Sequence, residues 1–579
     1  MSYLSRFKGG YSLYIFILSA VNLLYMHYWF FINEYMEVPL FFISPIINIC
    51  SIIFDISILF VIFKGLLLNK TIYAINLCYF ISLIWSFCNT FYGRFFFQYI
   101  PLSAFGMTGN LFEGIVVNSM LSGFQWQDTY YILSLLTFLY ISAKYKSSDS
   151  IAYYIIYMPP ITLLAIFFSY AIYHLASPTT RGNTELFWER TEGFIVGGDM
   201  KTSINPNLSR FHLGCVRYLC SQAYCNLFPK ELSSKERQLI KNEYSNHKLK
   251  TSNYTCNNNI KNVVYIILES FLSVSSDMKV NGKEITPFLN SLKHSKDVYY
   301  NGHVSPNITI GESGDGQFIY MTGILPCRNE YVLGFAQNNE FPALPRILKK
   351  YKGIEYSEII IPTVPKVWSQ DKMNKVYGIK RLYSYFDKYG TKKNNINLCL
   401  NDEEIFDMAI NTPKSHNKPF FQIILSSSTH MPYNDIVDNS FKLYDQSLPK
   451  SYLIYLNACH YTDSQIKRYF DYLKHNNLFE NTIIIIMADH NAHLMSLNME
   501  NKISEELPLY IINGGFNPIK AYKGHCNQLD VYTTLLDILG IESEWLGLGN
   551  TLLSPNYKNS VSTKVYEISE LIVKGNYFK

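Results

Sequence analysis

Four stretches of this chain hold residues that could bind a divalent cation or attack phosphorus. They are "LES" ending at Ser270, "GESGDGQF" from Gly311 to Phe318, "SSTH" ending at His430 and "MADH" ending at His490. Taken singly, a Glu or His at the end of an apolar run is an ordinary cap or loop residue. Asp489 and His490 together say more, because two ionisable groups at the edge of a core need a partner. With Glu269 they make two carboxylates and an imidazole, for which a divalent cation is the economical partner. "GESGDGQF" supplies what such a cation would activate: a serine hydroxyl is a weak nucleophile at its own pKa, and metal coordination is one way to sharpen it. At the start of a helix, Ser313 would also have backbone N–H groups and the helix dipole near a bound phosphate. The competing reading is a glycine-rich turn that merely caps a helix, and Thr309 is the rival hydroxyl.

For these groups to meet, the elements before them must end at one place. "NVVYIILES", "FFQIILSSSTH" and "NTIIIIMADH" have the β-branched density of strands buried on both faces. "SQIKRYFDYLKHNNL" and "LDVYTTLLDILGI" have helical periodicity. Strands alternating with helices predict an α/β domain with a mostly parallel central sheet covered by helices on both faces. In such sheets ligands bind beyond the carboxyl ends of the strands, where Glu269, His430, Asp489 and His490 all stand.

The hydrophobic fraction is 48% and the net charge +5, over 579 residues. No block of basic residues is concentrated enough for nucleic acid as a main partner. The apolar residues crowd into the first 176, where five segments approach the roughly 20 residues a bilayer requires. These are 11–31, 40–63, 72–92, 130–143 with its flanks, and 151–176. Arg6 and Lys8, Lys64 and Lys70, and Lys144 and Lys146 fall on alternate loops, which puts those loops in the cytoplasm and everything after about residue 177 outside it. Asp55 within the second segment is costly in lipid, so a packed polar contact or a proton relay is expected there. Residues 94–128, apolar but broken by Gly and Pro, read as a re-entrant or interfacial segment, 177–261 as a connector, and 262–579 as an exported catalytic domain. An oxidising compartment would permit disulfides among the exported cysteines, including the cluster Cys215, Cys220 and Cys225.

Residues 263–541 resemble the catalytic domain of the alkaline phosphatase superfamily, and more narrowly the lipoteichoic acid synthases and related phosphoglycerol transferases. The motifs are "LESF" at 268–271, "GESGDGQF" at 311–318, "KVWSQDKMNKVYGIKRLYS" at 366–384, "SSTHMPY" at 427–433, "YLNACHYTDSQI" at 455–466, "MADHNAH" at 487–493 and "QLDVYTTLLDILGI" at 528–541. The five-span amino-terminal part is similar to the same family. The resemblance implies that Glu269, Ser313, Asp489 and His490 hold one divalent cation, manganese foremost, with zinc or magnesium as substitutes. It implies Ser313 as the nucleophile, His430 on the substrate phosphate or head group, and Trp368 as a pocket wall.

The family's usual nucleophile is threonine, and serine keeps the hydroxyl. Its tryptophan is usually followed two residues on by arginine, whereas this chain has Trp368-Ser369-Gln370, which removes a fixed cation from the pocket. By position, His493 and His525 are further substrate-binding candidates. Asp463 reads as holding a helix start, and Gln528 and Asp530 as supporting residues. The expected activity is transfer of a phospho-head-group, phosphoglycerol by preference, from a phospholipid to a cell-envelope glycan, lipid or polymer. Phosphoethanolamine transfer is the alternative. Its enzymes set threonine after glycine in a Cys-Gly-Thr context that "IGESGDG" lacks. A sulfatase would need a Cys/Ser-x-Pro-x-Arg frame, and a non-catalytic scaffold would have eroded these ligands. The expected location is a bacterial cytoplasmic membrane, with the catalytic domain on its periplasmic or extracellular side.

Overall fold

The computed structural model describes residues 10–33, 43–96, 98–105, 123–145, 152–166, 206–227, 231–246, 260–328, 330–390, 399–412, 418–433, 435–554 and 556–579. The chain divides into two compact units, one of residues 1–104 and 123–230, the other of 105–122 and 231–579.

Among the described residues of the first unit three helices are long and apolar enough to cross a membrane: Tyr11–Ile32, Pro45–Leu66 and Thr71–Phe96. Their polar side chains turn inward and pair, as an amide facing lipid would cost several kcal/mol (~2–7). Asn22 donates to Ser82 at 3.3 Å and accepts from Ser134 at 2.8 Å and Tyr130 at 3.0 Å, joining three helices through one side chain. The fourth expected span is the 16-residue helix Thr129–Lys144, roughly 24 Å long against a hydrocarbon core of about 30 Å. Just ahead of it Asp128 takes two bonds from Arg94, at 2.8 and 2.6 Å. The fifth is helical at Ala152–Ile155 and again over 158–166 after a turn, and 167–176 lie outside the described residues. So do 106–122 of the expected re-entrant segment, 177–205 and 247–259 of the connector, and the charges Arg6, Lys8 and Lys146.

Asp55 packs: its carboxylate accepts the N–H of Cys215 at 2.5 Å and of Val216 at 3.3 Å. These lie just past Gly214, where the helix Pro206–Leu227 kinks at φ 76°. A side chain at Gly214 would meet the carboxylate at 2.5 Å, so glycine serves both the left-handed backbone and the close approach. Among the described residues, Cys215 and Cys220 are free thiols, as are Cys327, Cys399, Cys459 and Cys526.

Among its described residues the second unit has ten strands: β1 Asn262–Leu268, β2 Lys279–Val280, β3 Lys283–Glu284, β4 Tyr299–Ser305, β5 Tyr356–Ile360, β6 Arg381–Tyr383, β7 Phe420–Leu425, β8 Thr482–Ala488, β9 Leu507–Ile512 and β10 Cys526–Asn527. β2 and β3 form a separate ribbon, and the other eight make one sheet in the order β10-β4-β9-β8-β1-β7-β5-β6. β1 pairs in parallel with β7 and β8, β5 with β6 and β7, and β10 with β4, while β9 runs antiparallel to both its neighbours. Every residue of β1, β7, β8 and β9 is buried. Because successive side chains point to opposite faces, both faces of the sheet are covered, as the unbroken apolar runs predict.

Candidate active site

Register brings the acidic residues together. Leu268 of β1 lies opposite Ala488 of β8, so Glu269 and Asp489 leave adjacent strands at one level. Ile267 lies opposite Leu425 of β7, which sets Ser426 beside them, and the Glu269 N–H donates to its hydroxyl at 2.9 Å. The chain then turns through Ser270 at φ 50°. That turn lets the Ser270 N–H donate to Asp489 at 3.0 Å and its hydroxyl to Glu269 at 2.8 Å.

Ser313 is the second residue of the helix Glu312–Thr322, entered through Glu312 at φ 39°. Gly316, one turn on, lies flat against β8: a Cβ there would stand 2.4 Å from the Asp489 carbonyl oxygen. The contact brings the first turn of the helix down onto the strand end. The Ser313 hydroxyl consequently donates to Glu269 Oε2 at 3.1 Å and lies 3.2 Å from His490 Nε2. The other nitrogen of His490 faces the Asn491 carbonyl at 2.8 Å. A carbonyl only accepts, so Nδ1 carries a proton, and Nε2 is the nitrogen left to give up its own proton and face a cation. Thr309 lies elsewhere, with its hydroxyl donating to Asp315 at 2.7 Å and to the Cys327 carbonyl at 2.9 Å. Asp315 also accepts the N–H groups of Thr309 and Gly311, and burial pushes its carboxyl up to about 7.

Glu269, Asp489 and His490 are all buried, and their ligand atoms lie within 4.8 Å of one another. Burial acts against the charge of Glu269, yet His490 holds that carboxyl well below its ordinary range. Asp489 is driven far up, by burial first and then by the charge of Glu269. His490 is raised because the two carboxylates outweigh its own burial. One imidazolium cannot balance two buried carboxylates, so one of them is forced to keep a proton. A divalent cation fits this donor set: it would supply the missing charge, and the Ser313 hydroxyl lies beside two of the three clustered ligands, Glu269 and His490.

Around this cluster the other expected residues take different places. His493 bonds the Glu312 carboxylate at 3.3 Å, and its ring centre is 6.2 Å from that of His490. Burial acts against both charges, yet His493 lowers the Glu312 carboxyl and Glu312 raises the His493 imidazole. His430 binds the Met431 carbonyl through Nδ1 and acts on the charge of Glu269. Trp368 stands over Gly314, where a Cβ would be 3.5 Å from its ring, and so forms a wall beside Ser313. Trp368 and Ser369 are both left-handed, at φ 50° and 51°. Their turn carries Gln370 inward to bond Gln317 at 2.8 Å. His525 sits apart on Glu506, at 2.8 Å.

Gln528 supports the site by donating to the Asp489 carbonyl at 2.6 Å. Asp530 accepts from Asn527, Asn550, Tyr557 and Ser560. Asp463 accepts the N–H groups of Phe288 and Leu289, at 2.9 and 2.8 Å, and caps the helix Pro287–Lys293. Glu312 and Ser270 are site residues that the sequence reading passed over. The signal for Glu312 was its place beside Ser313, where an acid in a first helical turn reads as ordinary dipole compensation.

Residues 261–541 match the Sulfatase family model. Lipoteichoic acid synthase 2 of Bacillus subtilis (strain 168) is 26% identical over 337 residues, covering 54% of this chain and 51% of that protein, so the chain spans about half the length of this relative. The lipoteichoic acid synthase of Staphylococcus aureus (strain USA300) is 25% identical over 541 residues, 89% of this chain and 80% of the relative. Among solved structures, the integral membrane protein lipooligosaccharide phosphoethanolamine transferase A from Neisseria meningitidis matches 94% of this chain and 98% of its own, with a TM-score of 0.52 at 12% identity, a likeness of fold. The Sulfatase match over residues 261–541, the synthase relatives and the shared fold agree on a lipoteichoic acid synthase-like protein of the alkaline phosphatase superfamily.

Proposed function

We propose that this chain transfers a phospho-head-group, phosphoglycerol by preference, from a membrane phospholipid to a cell-envelope glycan, lipid or polymer. The observation that carries the reading is the Ser313 hydroxyl, 3.1 Å from Glu269 and 3.2 Å from His490 at the mouth of the sheet. Glu269, Asp489, His490 and Ser313 would hold one divalent cation. Three oxygens to one nitrogen suit manganese or magnesium, and zinc also accepts such a set. When bound, the cation supplies positive charge to the phosphoryl oxygens and lowers the pKa of the serine hydroxyl.

The Ser313 oxygen attacks the phosphorus of the donor. The bond from phosphorus to the diacylglycerol oxygen breaks, the leaving alkoxide takes up a proton, and the head group stays on Ser313 as a phosphodiester. An acceptor hydroxyl then attacks the same phosphorus, loses its proton, and returns Ser313 to its starting state. His430 stands on the rim to move these protons. Trp368 and His493 border the pocket for the head group, whereas Gln370, turned to Gln317, and His525, held on Glu506, stand back from it. The cytoplasmic membrane holds the chain through its apolar helices, with the catalytic unit on the outer side, a reading supported by Lys64, Lys70 and Lys144.

One feature favours phosphoethanolamine as a second reading. Gln370, at the place of the family's arginine, is neutral and turned to Gln317, and a head group that brings its own ammonium does not need a cation there. The full-length protein in detergent is given phosphatidylglycerol or phosphatidylethanolamine separately, and diacylglycerol release is followed with Ser313→Ala as control. Phosphatidylglycerol is the donor expected to turn over, and full activity in the alanine variant would sink the nucleophile assignment.

A further inference from the structure

A second set of metal-binding side chains lies on the same end of the sheet, outside the site just described. His303 is near the end of β4, Glu506 directly precedes β9, and His525 directly precedes β10. Because β9 is antiparallel to both β4 and β8, the end of β4 and the end of β8 point the same way. The register confirms the neighbourhood: Val304 lies opposite both Leu507 and Cys526, so the three residues beside them converge. β4 is two strands from β8, about 10 Å at the usual strand spacing.

His303 Nδ1 is 3.0 Å from Glu506 Oε2, and His525 Nδ1 is 2.8 Å from Glu506 Oε1. The two imidazole rings are 5.2 Å apart, and one ligand atom from each residue fits within 4.8 Å of the others. Around tetrahedral zinc, with bonds of 2.0–2.2 Å, neighbouring ligand atoms are about 3.3 Å apart. The two contacts to Glu506, one to each of its oxygens, are slightly shorter than that, so binding asks the rings to move by only a few tenths of an ångström. The imidazoles are exposed, with 53% and 79% of their side chains accessible, so rotating them costs little.

The backbone beneath is fixed, unlike the side chains of a casual surface pair. Asn301, 1% exposed, accepts the His303 N–H at 2.9 Å and donates to the Gly524 carbonyl at 3.0 Å, clamping the two histidine-bearing segments to each other. The β4 pairing is irregular between Asn301 and Val304, and such bulges re-aim side chains. Ser504 donates to the Glu506 carboxylate at 3.1 Å and accepts the Glu506 N–H at 3.2 Å, holding it between the rings. Exposed ion pairs are worth about 0–1 kcal/mol, so the carboxylate–imidazole contacts would yield readily to a cation.

We infer that His303, Glu506 and His525 form a second cation site, of the zinc class, with open coordination positions facing solvent. Two nitrogens and a carboxylate oxygen select zinc-like ions over manganese or magnesium, whereas the oxygen-rich Ser313 site does not. The two sites are therefore chemically distinct.

The test counts metal. Full-length protein in detergent is stripped with chelator, equilibrated with Zn2+ at low micromolar concentration, and its bound zinc measured by mass spectrometry. Two equivalents per chain are expected in the wild type and one in the His303→Ala/His525→Ala variant. Asp489→Asn, which strikes the other site, is expected to keep the equivalent that the double variant loses. Glu506→Gln, which leaves both rings in place, is expected to weaken the second equivalent at least about tenfold. A wild type that binds one equivalent, or a double variant that still binds two, would overturn the site.

Discussion

Two hydroxyls stand within four residues of each other, and the structure gives them opposite tasks. Ser313 faces the carboxylate and imidazole of the cluster, while Thr309 supplies a buried acid with a hydrogen bond. Ser313→Ala is expected to cut diacylglycerol release at least about a thousandfold, the scale seen when a nucleophile is removed, and to leave the melting temperature nearly unchanged. Thr309→Ala is expected to do the reverse: Asp315 loses a donor in a dry environment, at a cost of about 1–3 kcal/mol, and chemistry at Ser313 persists. Activity and thermal melting of both variants separate the two roles. At this scale the meeting of Glu269, Ser313, Asp489 and His490 was legible in the sequence because each stands next to an apolar run long enough to identify its strand or helix. The inward turn of Gln370 was not, since it depends on two left-handed residues, Trp368 and Ser369, that are not glycines. Nor was the meeting of His303 with His525, which requires a bulge in β4 and a pairing over more than 200 residues of chain.

At the scale of elements, the helix Glu312–Thr322 and the end of β8 touch backbone to backbone at Gly316. Gly316→Ala would force them apart. The expected result is a loss of about 1–3 kcal/mol from overpacking, with weaker cation binding at Glu269, Asp489 and His490, read from melting curves and metal content. A second prediction concerns the cap on the helix Pro287–Lys293. Burial pushes the Asp463 carboxyl up to about 7, against about 3.9 in the unfolded chain. Its contribution to stability is therefore complete below about pH 4 and falls as pH rises to about 7, by at most about 1.4 kcal/mol per pH unit. Asp463→Asn is expected to flatten this decline, and parallel melting profiles for the two proteins would assign it to another group. Strand identities were readable here from unbroken β-branched runs. The reversed direction of β9 was not, because "LPLYII" is as apolar as its parallel neighbours and carries no mark of orientation.

At the scale of the whole molecule, the three helices among the described residues that are long enough for a bilayer were legible from length and apolarity, and the shortest of the five expected segments, 130–143, forms the 16-residue helix Thr129–Lys144. The catalytic unit is expected to depend on its cation for stability as well as for chemistry, because two buried carboxylates share one imidazole without it. Chelation of the full-length protein should abolish diacylglycerol release, and Mn2+ should restore it. At a free concentration 100 times the Kd, binding adds about 2.7 kcal/mol, visible as a higher melting temperature. A melting temperature indifferent to Mn2+ would count against the site.

The wall and the floor of the pocket come from separate stretches of chain. Glu269, Ser313, Asp489 and His490 are set by strand ends and a helix packed against them, whereas Trp368 and Gln370 ride on a short turn between β5 and β6. That division makes the protein modular in an evolutionary sense. Under the proposed function, drift in residues 364–370 would retune which donor is accepted while the reacting centre is inherited intact, so a change of lipid diet would need only a handful of neighbouring codons.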